Sequence, residues 1–407
     1  MSSENHAPLE GVKVLEFQWV FAGPASTAYL SSYGATVIKV ESEHAPDVLR
    51  VSPPYKDGKP GVNRAYGFCI SNSTKYDIAL DMGREEARAV ARRLVAWADV
   101  VATNYVPGNM EKWGLSYEEV KKIRPDIIMV CSSLQGQTGP RRVFGGFGPH
   151  STALAGFNHL TGWPDREGAQ PHMAYTDFIA PWFATLAILA ALDHRRRTGQ
   201  GQRIDLSQME ASLHFLATAL LDYTANGREQ IRQGNRSPCA APHGAYPCLG
   251  NDRWCAIAVL TDHEWQALRQ AMGDPEWARH PKFSTLKGRK THEDELDEKM
   301  AEWTMCQTAE DVMNRLQQAG VAAGVVQSAQ DLVDKDPQLK EWGIFRELEH
   351  PEMGPALHYG WPVRLSQAEA RLERAPMLGE HTEYVCCQVL GMSDEEFTRL
   401  MQAGIFQ

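Results

Sequence analysis

The stretch VKVLEFQWVFAGPASTAYLSSYGATVIKVE, Val12 to Glu41, decides the fold class. "VKVLEF" (Val12–Phe17) is an apolar run of strand length, "AGPASTAYLSSYG" supplies a Gly-Pro turn and a helix, and "ATVIKVE" (Ala35–Glu41) is a second strand. Together they form a βαβ unit. The rhythm continues through "YDIALDM", the helix "GREEARAVARRLVAWA", the strand "DVVATNY", a helix near Ser116 to Ile123 and the strand "DIIMVCSSL". Such alternation predicts an α/β fold, a large Rossmann-like domain with a parallel sheet and helices on both faces.

Farther along, Met173 to about Leu221 reads as helical, and "NGREQIRQGNRSPCAAPHG" (Asn226–Gly244) is a polar, Gly- and Pro-containing linker. The expected organisation is a large domain over residues 1–225, a small α+β domain over 226–325, and a C-terminal segment, 326–407, that returns to the large domain. At 407 residues the chain is long enough for two or three such units.

Composition narrows the function classes. Hydrophobic content of 43% and charged content of 23% are those of a soluble globular protein. The most apolar stretch, Phe178 to Leu192, reads as too short for a membrane span and contains Pro181, so no membrane association is expected. The start, "MSSENHAPLEG", is polar and acidic, unlike a signal peptide. Eight scattered cysteines without a CxxC pair fit reduced thiols in the cytoplasm and no metal site. A net charge of −10 disfavours nucleic acid. "RRRTGQGQ" (Arg195–Gln202) reads as a helix C-terminus, with basic residues against the dipole and glycines to stop it.

One carboxylate is set apart. Asp177 in "MAYTDFIAPWF" precedes a long apolar segment, and Pro181, which has no N–H, places the start of the helix near Ala180 with Asp177 in the turn before it. Such an aspartate either caps the helix or, held ionised against apolar surroundings, acts as a nucleophile toward an activated acyl group. Position alone leaves both open.

Several blocks resemble the class III coenzyme A transferases, the family of formyl-CoA transferase and carnitine CoA-transferase. They are Pro8 to Glu41, "TNYVPGNMEKWGL" (Thr103–Leu115), "GQTGP" (Gly136–Pro140), "ILAALDHRRRTGQGQRIDLSQMEA" (Ile188–Ala211) and "RAPMLGEHTEYV" (Arg374–Val385), in the family's order. The resemblance implies a catalytic aspartate at Asp177 that forms an aspartyl anhydride and then an aspartyl-CoA thioester. It also implies an interlocked dimer, of like chains or with a homologous subunit. No permanent cofactor is implied; the CoA thioester is substrate.

For the oxyanion of each tetrahedral step, the turn Trp19–Pro24 is expected to aim backbone N–H groups, with Val20, Phe21 and Ala22 as candidates. For CoA, the resemblance points to Asn104, Tyr105 and Lys112, with Arg50 and Lys75 as phosphate partners. Phe21 stands where formyl- and oxalyl-transferring members carry glutamine, which leans toward a larger apolar or aromatic acyl group. Ser42 replaces an adenine-side arginine, and Tyr76 and Asp77 follow Lys75 where the family has Arg-Ser. These departures resemble the succinyl-CoA:benzylsuccinate branch and imply an aromatic or dicarboxylic acid, with succinyl-CoA as donor.

Two rivals share the fold. An α-methylacyl-CoA racemase needs a histidine at the register of Phe147, whereas His150 lies three residues on. A non-catalytic partner subunit would lack the aspartate. A nicotinamide dehydrogenase is disfavoured because no GxGxxG follows the first strand.

Overall fold

In the computed structural model the described residues are 7–407; the polar leader Met1–His6 lies outside them. The chain forms two compact units. One comprises the residues up to Asn158, Gln170–Gln230 and Trp342–Gln407; the other comprises His159–Ala169 and Ile231–Glu341. The C-terminal segment thus joins the larger unit from Trp342, later than the expected 326, because the helix over Ala329–Asp334 is tied into the smaller unit by the Arg253–Asp331 ion pair (2.5 Å). The first break falls after Gln230 instead of 225, since the linker begins only where a helix over Ala217–Asn226 ends at left-handed Gly227.

The larger unit is built on six parallel strands: β1 (Lys13–Phe17), β2 (Thr36–Glu41), β3 (Tyr76–Ala79), β4 (Val100–Thr103), β5 (Ile128–Ser133) and β6 (Arg203–Ser207), in the order β3-β2-β1-β4-β5-β6. Strand β6 is a correction to the sequence reading, which treated its segment as part of a helical region. Its five residues alternate outward and inward at the sheet edge, too short a pattern to stand out behind a long helix. In β1, Leu15 faces a core with Ile38, Ile78, Leu94, Val101 and Met129, while Val14 faces the opposite layer with Val37, Val100, Ile128, Val130 and Ile188. Both faces are covered, which is why these strands read as continuous apolar runs. Each such side chain contributes roughly 1.5–3 kcal/mol on burial.

Helices α1 (Ala22–Ser32), α2 (Glu85–Trp97), α3 (Gly148–Leu154) and α4 (Tyr175–Thr198) pack around this sheet. The returning C-terminal segment covers the edge strand β3: the Gly379 N–H donates to Asp77 Oδ1 (2.7 Å), the His381 N–H to the Asp77 carbonyl (2.9 Å), and His381 Nδ1 accepts from the Asp77 N–H (3.2 Å). Covering an edge removes a template for unwanted pairing. The basic end of α4 behaves as expected. Arg195 reaches Asp99 Oδ1 (3.0 Å), and Gly199 closes the helix at φ 73°.

The smaller unit has three antiparallel strands, β7 (His243–Pro247), β8 (Trp254–Ala258) and β9 (Ala322–Val325), over a core that includes Trp265, Leu268, Phe283, Met300 and Val312.

Candidate active site

In a parallel sheet of this order, ligands bind outside the carboxyl ends of the strands where the winding reverses, here between β1 and β4. Two segments leave the sheet at that point, Gln18–Phe21 after β1 and Asn104–Val106 after β4. Beside that point, over the carboxyl ends of β1, β2 and β3, lies a cavity of about 240 Å³ whose walls include Trp19, Ser42, His44, Asp47, Leu80, Tyr105 and Trp113. Tyr105 stands edge-on to Trp113 with ring centroids 5.6 Å apart and tilts against Trp19 at 6.1 Å. Tyr105, expected to contact CoA, lines this cavity. Trp113 and His44 were not singled out, and Trp19 was expected only as part of the turn after β1; the strand order is what brings these loops together.

The turn after β1 is held from outside. Asn104, expected to contact CoA, instead clamps the Trp19 backbone, accepting from its N–H (3.1 Å) and donating to its carbonyl (2.7 Å). Val20 has φ 62°. For a β-branched residue this left-handed conformation costs on the order of 1–3 kcal/mol and persists only where the surroundings over-determine it. Its N–H donates to the Asp47 carboxylate (3.0 and 3.1 Å). Val20 is thus no free oxyanion donor, a correction to the expectation.

The donors that remain free lie just beyond. Helix α1 starts at Ala22, its N-cap Phe21 offers no side-chain cap, Pro24 has no N–H, and the Ala25 N–H returns to the Phe21 carbonyl. The Phe21, Ala22 and Gly23 N–H groups have no partner among the described hydrogen bonds. They sit at the positive end of the helix dipole. Gln18, whose carboxamide also has no partner, lies against Gly23, where a Cβ would meet its Cδ at 2.8 Å.

Helix α4 brings Asp177 to the same end of α1, for the Phe21 and Phe178 rings touch at 4.4 Å. The helix begins at Tyr175, not near Ala180, so Asp177 occupies its first turn and Pro181 lies inside the helix. A proline there leaves the carbonyl four residues earlier, that of Asp177, without its helical N–H. The helix runs 24 residues and is long and apolar enough to cross a membrane by length and composition, longer than the sequence reading allowed. It nevertheless carries the buried Asp177 and bonds α1 through Thr185 Oγ1 to the Ser26 carbonyl (3.2 Å).

Asp177 is 6% exposed, and burial pushes its carboxyl up to about 7, opposed by one hydrogen bond from the Gly148 N–H. The carboxylate caps nothing in its own helix. Its fixed neighbour is Gly148, at the start of α3, where a Cβ would stand 2.4 Å from Asp177 Oδ2 and from the Ala174 Cβ. The Gly148 carbonyl in turn accepts from Thr152 (2.9 Å) and Thr176 (3.2 Å), which orient that peptide. Gly148, Thr152 and Thr176 were missed because no local pattern announces them. A buried carboxyl raised to about 7, next in sequence to a ring that packs on Phe21 at the uncapped start of α1, has the attributes of a nucleophile.

Arg50 and Lys75, expected as phosphate partners, have other duties. Arg50 is buried, bonds Glu41 (2.7 Å), Asp77 (3.4 Å), Asn63 (3.0 Å) and the Pro376 carbonyl (3.2 Å), and stacks 3.5 Å over Phe68. The three donors of Lys75 go to Glu16 (2.9 Å), the Pro24 carbonyl (2.8 Å) and Asn72 (3.1 Å). Lys112 is exposed at the end of the short helix Asn109–Lys112, next to Trp113. Among the described residues no group of three or more His, Cys, Asp or Glu is placed to hold a metal ion.

Residues 9–382 match the family described as CoA-transferase family III. The chain is 33% identical over 394 residues to succinyl-CoA–D-citramalate CoA-transferase of Chloroflexus aurantiacus, covering 97% of this chain and 96% of that one. It is 30% identical over 406 residues to the succinyl-CoA–L-malate CoA-transferase alpha subunit of the same species, covering 99% and 94%. A CAIB/BAIF family protein from Brucella suis superimposes with a TM-score of 0.87 at 32% identity, covering 94% of this chain and 100% of that one. The motifs and the fold agree with these similarities: the chain belongs to CoA-transferase family III and is an enzyme of that family.

Proposed function

We propose that the enzyme moves coenzyme A from succinyl-CoA to a dicarboxylic acid, with Asp177 as the covalent carrier. The Asp177 carboxylate attacks the thioester carbonyl and expels CoA thiolate, giving a mixed anhydride. The thiolate attacks the aspartyl carbonyl, which releases succinate and leaves an aspartyl-CoA thioester. The acceptor carboxylate attacks that thioester to give a new anhydride and thiolate, and the thiolate then takes the acceptor acyl group, restoring Asp177. Each addition builds an oxyanion within reach of the Phe21 and Ala22 N–H groups.

The observation that carries this reading is the buried carboxyl of Asp177, raised by burial and without a described cation partner, whose neighbour Phe178 packs against Phe21 at the uncapped start of α1. The aromatic cleft beside the sheet's switch point is the proposed CoA site, with Lys112 toward the phosphates. Succinyl-CoA and a dicarboxylic acceptor follow the names of the relatives. A second reading, an aromatic acceptor such as benzylsuccinate, is favoured by the Phe21–Phe178 pair beside Asp177. Racemisation is less favoured, because the register of the second acid/base falls on Phe147 and His150 lies three residues on.

Two chains, alike or homologous, complete the assembly in this reading. Phe178, Trp182, Leu186 and Leu189 form an exposed apolar stripe on α4, and an oligomer interface accounts for it. All eight cysteines are free, in keeping with a cytoplasmic enzyme. Incubation with succinyl-CoA followed by hydroxylamine or borohydride should modify Asp177 alone. An unmodified peptide, together with exchange of an α-proton in deuterated water, would overturn transfer in favour of the racemase.

A further inference from the structure

We propose that Asp47 is a positioning residue for the transfer step: its buried carboxylate holds Val20 in the left-handed conformation that aims the Phe21 N–H at the reacting acyl group. The inference rests on the transfer reading above and adds a residue in the wall of the proposed CoA cleft, whose positioning role is separated from CoA binding by the split between kcat and KM below.

Three consecutive residues of the turn after β1 are gripped by side chains from elsewhere. Lys39 Nζ donates to the Gln18 carbonyl, Asn104 takes both sides of the Trp19 backbone, and Val20 is held at its N–H by Asp47 and at its carbonyl by Ser71 Oγ (3.4 Å). The Val20 carbonyl and the Phe21 N–H belong to one planar trans peptide and point in opposite directions. With Ser71 on the carbonyl, the Phe21 N–H is turned the other way, away from Ser71. The sign of φ at Val20 sets the direction of that plane.

A turn selected only for shape would carry Gly, Asn or Asp at a positive φ, because those residues adopt it at little cost. Valine adopts it badly, so the conformation depends on the grip. Asp47 supplies the strongest part of it. Both carboxylate oxygens lie within hydrogen-bonding range of the Val20 N–H, while the Leu49 N–H (3.0 Å) and Lys39 Nζ (3.3 Å) hold the carboxylate itself. Asp47 is 3% exposed, so water cannot replace it readily. Without this acceptor Val20 relaxes toward negative φ and the Phe21 N–H swings away.

The competing explanation is that Asp47 only neutralises buried Lys39. Glycine at position 20 separates the two, because it accepts positive φ without being held but does nothing for Lys39. Asp47→Ala should lower kcat for CoA transfer by about 10²-fold, the loss expected for one oxyanion donor, with KM changed less than about 3-fold. Adding Val20→Gly to Asp47→Ala should recover at least about tenfold of that loss. Val20→Gly alone supplies the remaining corner of the cycle. Should Asp47→Ala fail to fold, Asp47→Asn, which keeps one acceptor oxygen, takes its place, with a smaller loss and the same rescue. A double variant no faster than the Asp47 variant alone overturns the proposal, as does an Asp47 variant with unchanged kcat. Mass spectrometry of the Asp177 adduct in the unmutated enzyme runs in parallel. An absent adduct defeats the transfer reading itself, whereas an adduct formed equally fast by unmutated and Asp47 variants defeats only the positioning role.

Discussion

Asp177 and Glu41 are acidic side chains of the same α/β unit, 6% and 7% exposed, and their surroundings drive them in opposite directions. Glu41 lies among paired charges. Burial alone would raise its pKa, but Arg50 at 2.7 Å and Lys39 outweigh that and hold it at about 2. Around it, the buried carboxylates Glu16, Glu41, Asp47 and Asp77 face the buried cations Lys39, Arg50 and Lys75. Burial and the neighbouring Glu41 push Asp77 well above the carboxylate range, against the pull of Arg50 and the Gly379 N–H. Asp177 has no cation, and burial against a single Gly148 N–H leaves it near 7. Equal burial therefore yields a rigid strut in one place and a reactive group in the other, according to whether opposite charge was buried alongside.

The sharpest way to break this contrast is Asp177→Ala. As the covalent carrier it should lose at least about 10⁴-fold in CoA transfer, read by chromatography of the acyl-CoA products, while the chain stays folded. Transfer at the unmutated rate would end the comparison. Next comes Arg50→Met, which leaves Glu41 and Asp77 buried without their guanidinium. Breaking a buried pair costs about 3–5 kcal/mol, so urea unfolding should register that loss. KM for succinyl-CoA in the surviving folded enzyme should not change, and a large rise in KM would restore Arg50 as a phosphate partner.

A subtler result is expected from Asp177→Asn. Since the folded pKa lies above the unfolded one, ionising Asp177 destabilises the native state as pH rises from about 4 to 7. The neutral variant should be no more stable than the parent below pH ~4 and about 2–4 kcal/mol more stable at pH 8. In the unmutated enzyme, adduct formation should climb with pH through about 7 and level off above it. A flat profile, or an Asn variant with no gain at pH 8, would place Asp177 with the paired carboxylates. The smallest effect belongs to exposed Lys112. Lys112→Ala should raise KM for the CoA substrate by about 2–5-fold at low salt with kcat unchanged, and the effect should fade with added salt.

The elements read most easily from sequence were those whose burial is uniform. β1, β2, β4 and β5 face helices on both sides and therefore appear as unbroken apolar runs. Pro181 misled because a proline can stand inside a helix where the lost hydrogen bond is absorbed near its start. Arg50 and Lys75 misled because a charged residue in a loop or before a strand looks like a surface ligand until its partners are known. Those of Arg50 include Glu41, Asn63, Asp77 and the Pro376 carbonyl, scattered along the chain. Gly148 resembled any helix-starting glycine; the approach of Asp177 and Ala174 explains why no side chain fits there.

What the amino-acid order determined alone was local: the period of the strands and helices, and the ordered motifs that single out Asp177 and the turn after β1. These follow from side-chain polarity and backbone preference, which act over a few residues. The tertiary structure decided which charges are paired, which N–H groups stay free and which loops meet between β1 and β4. Those outcomes depend on distances between segments far apart in the chain and on the removal of water from between them, and neither quantity exists until the chain has folded.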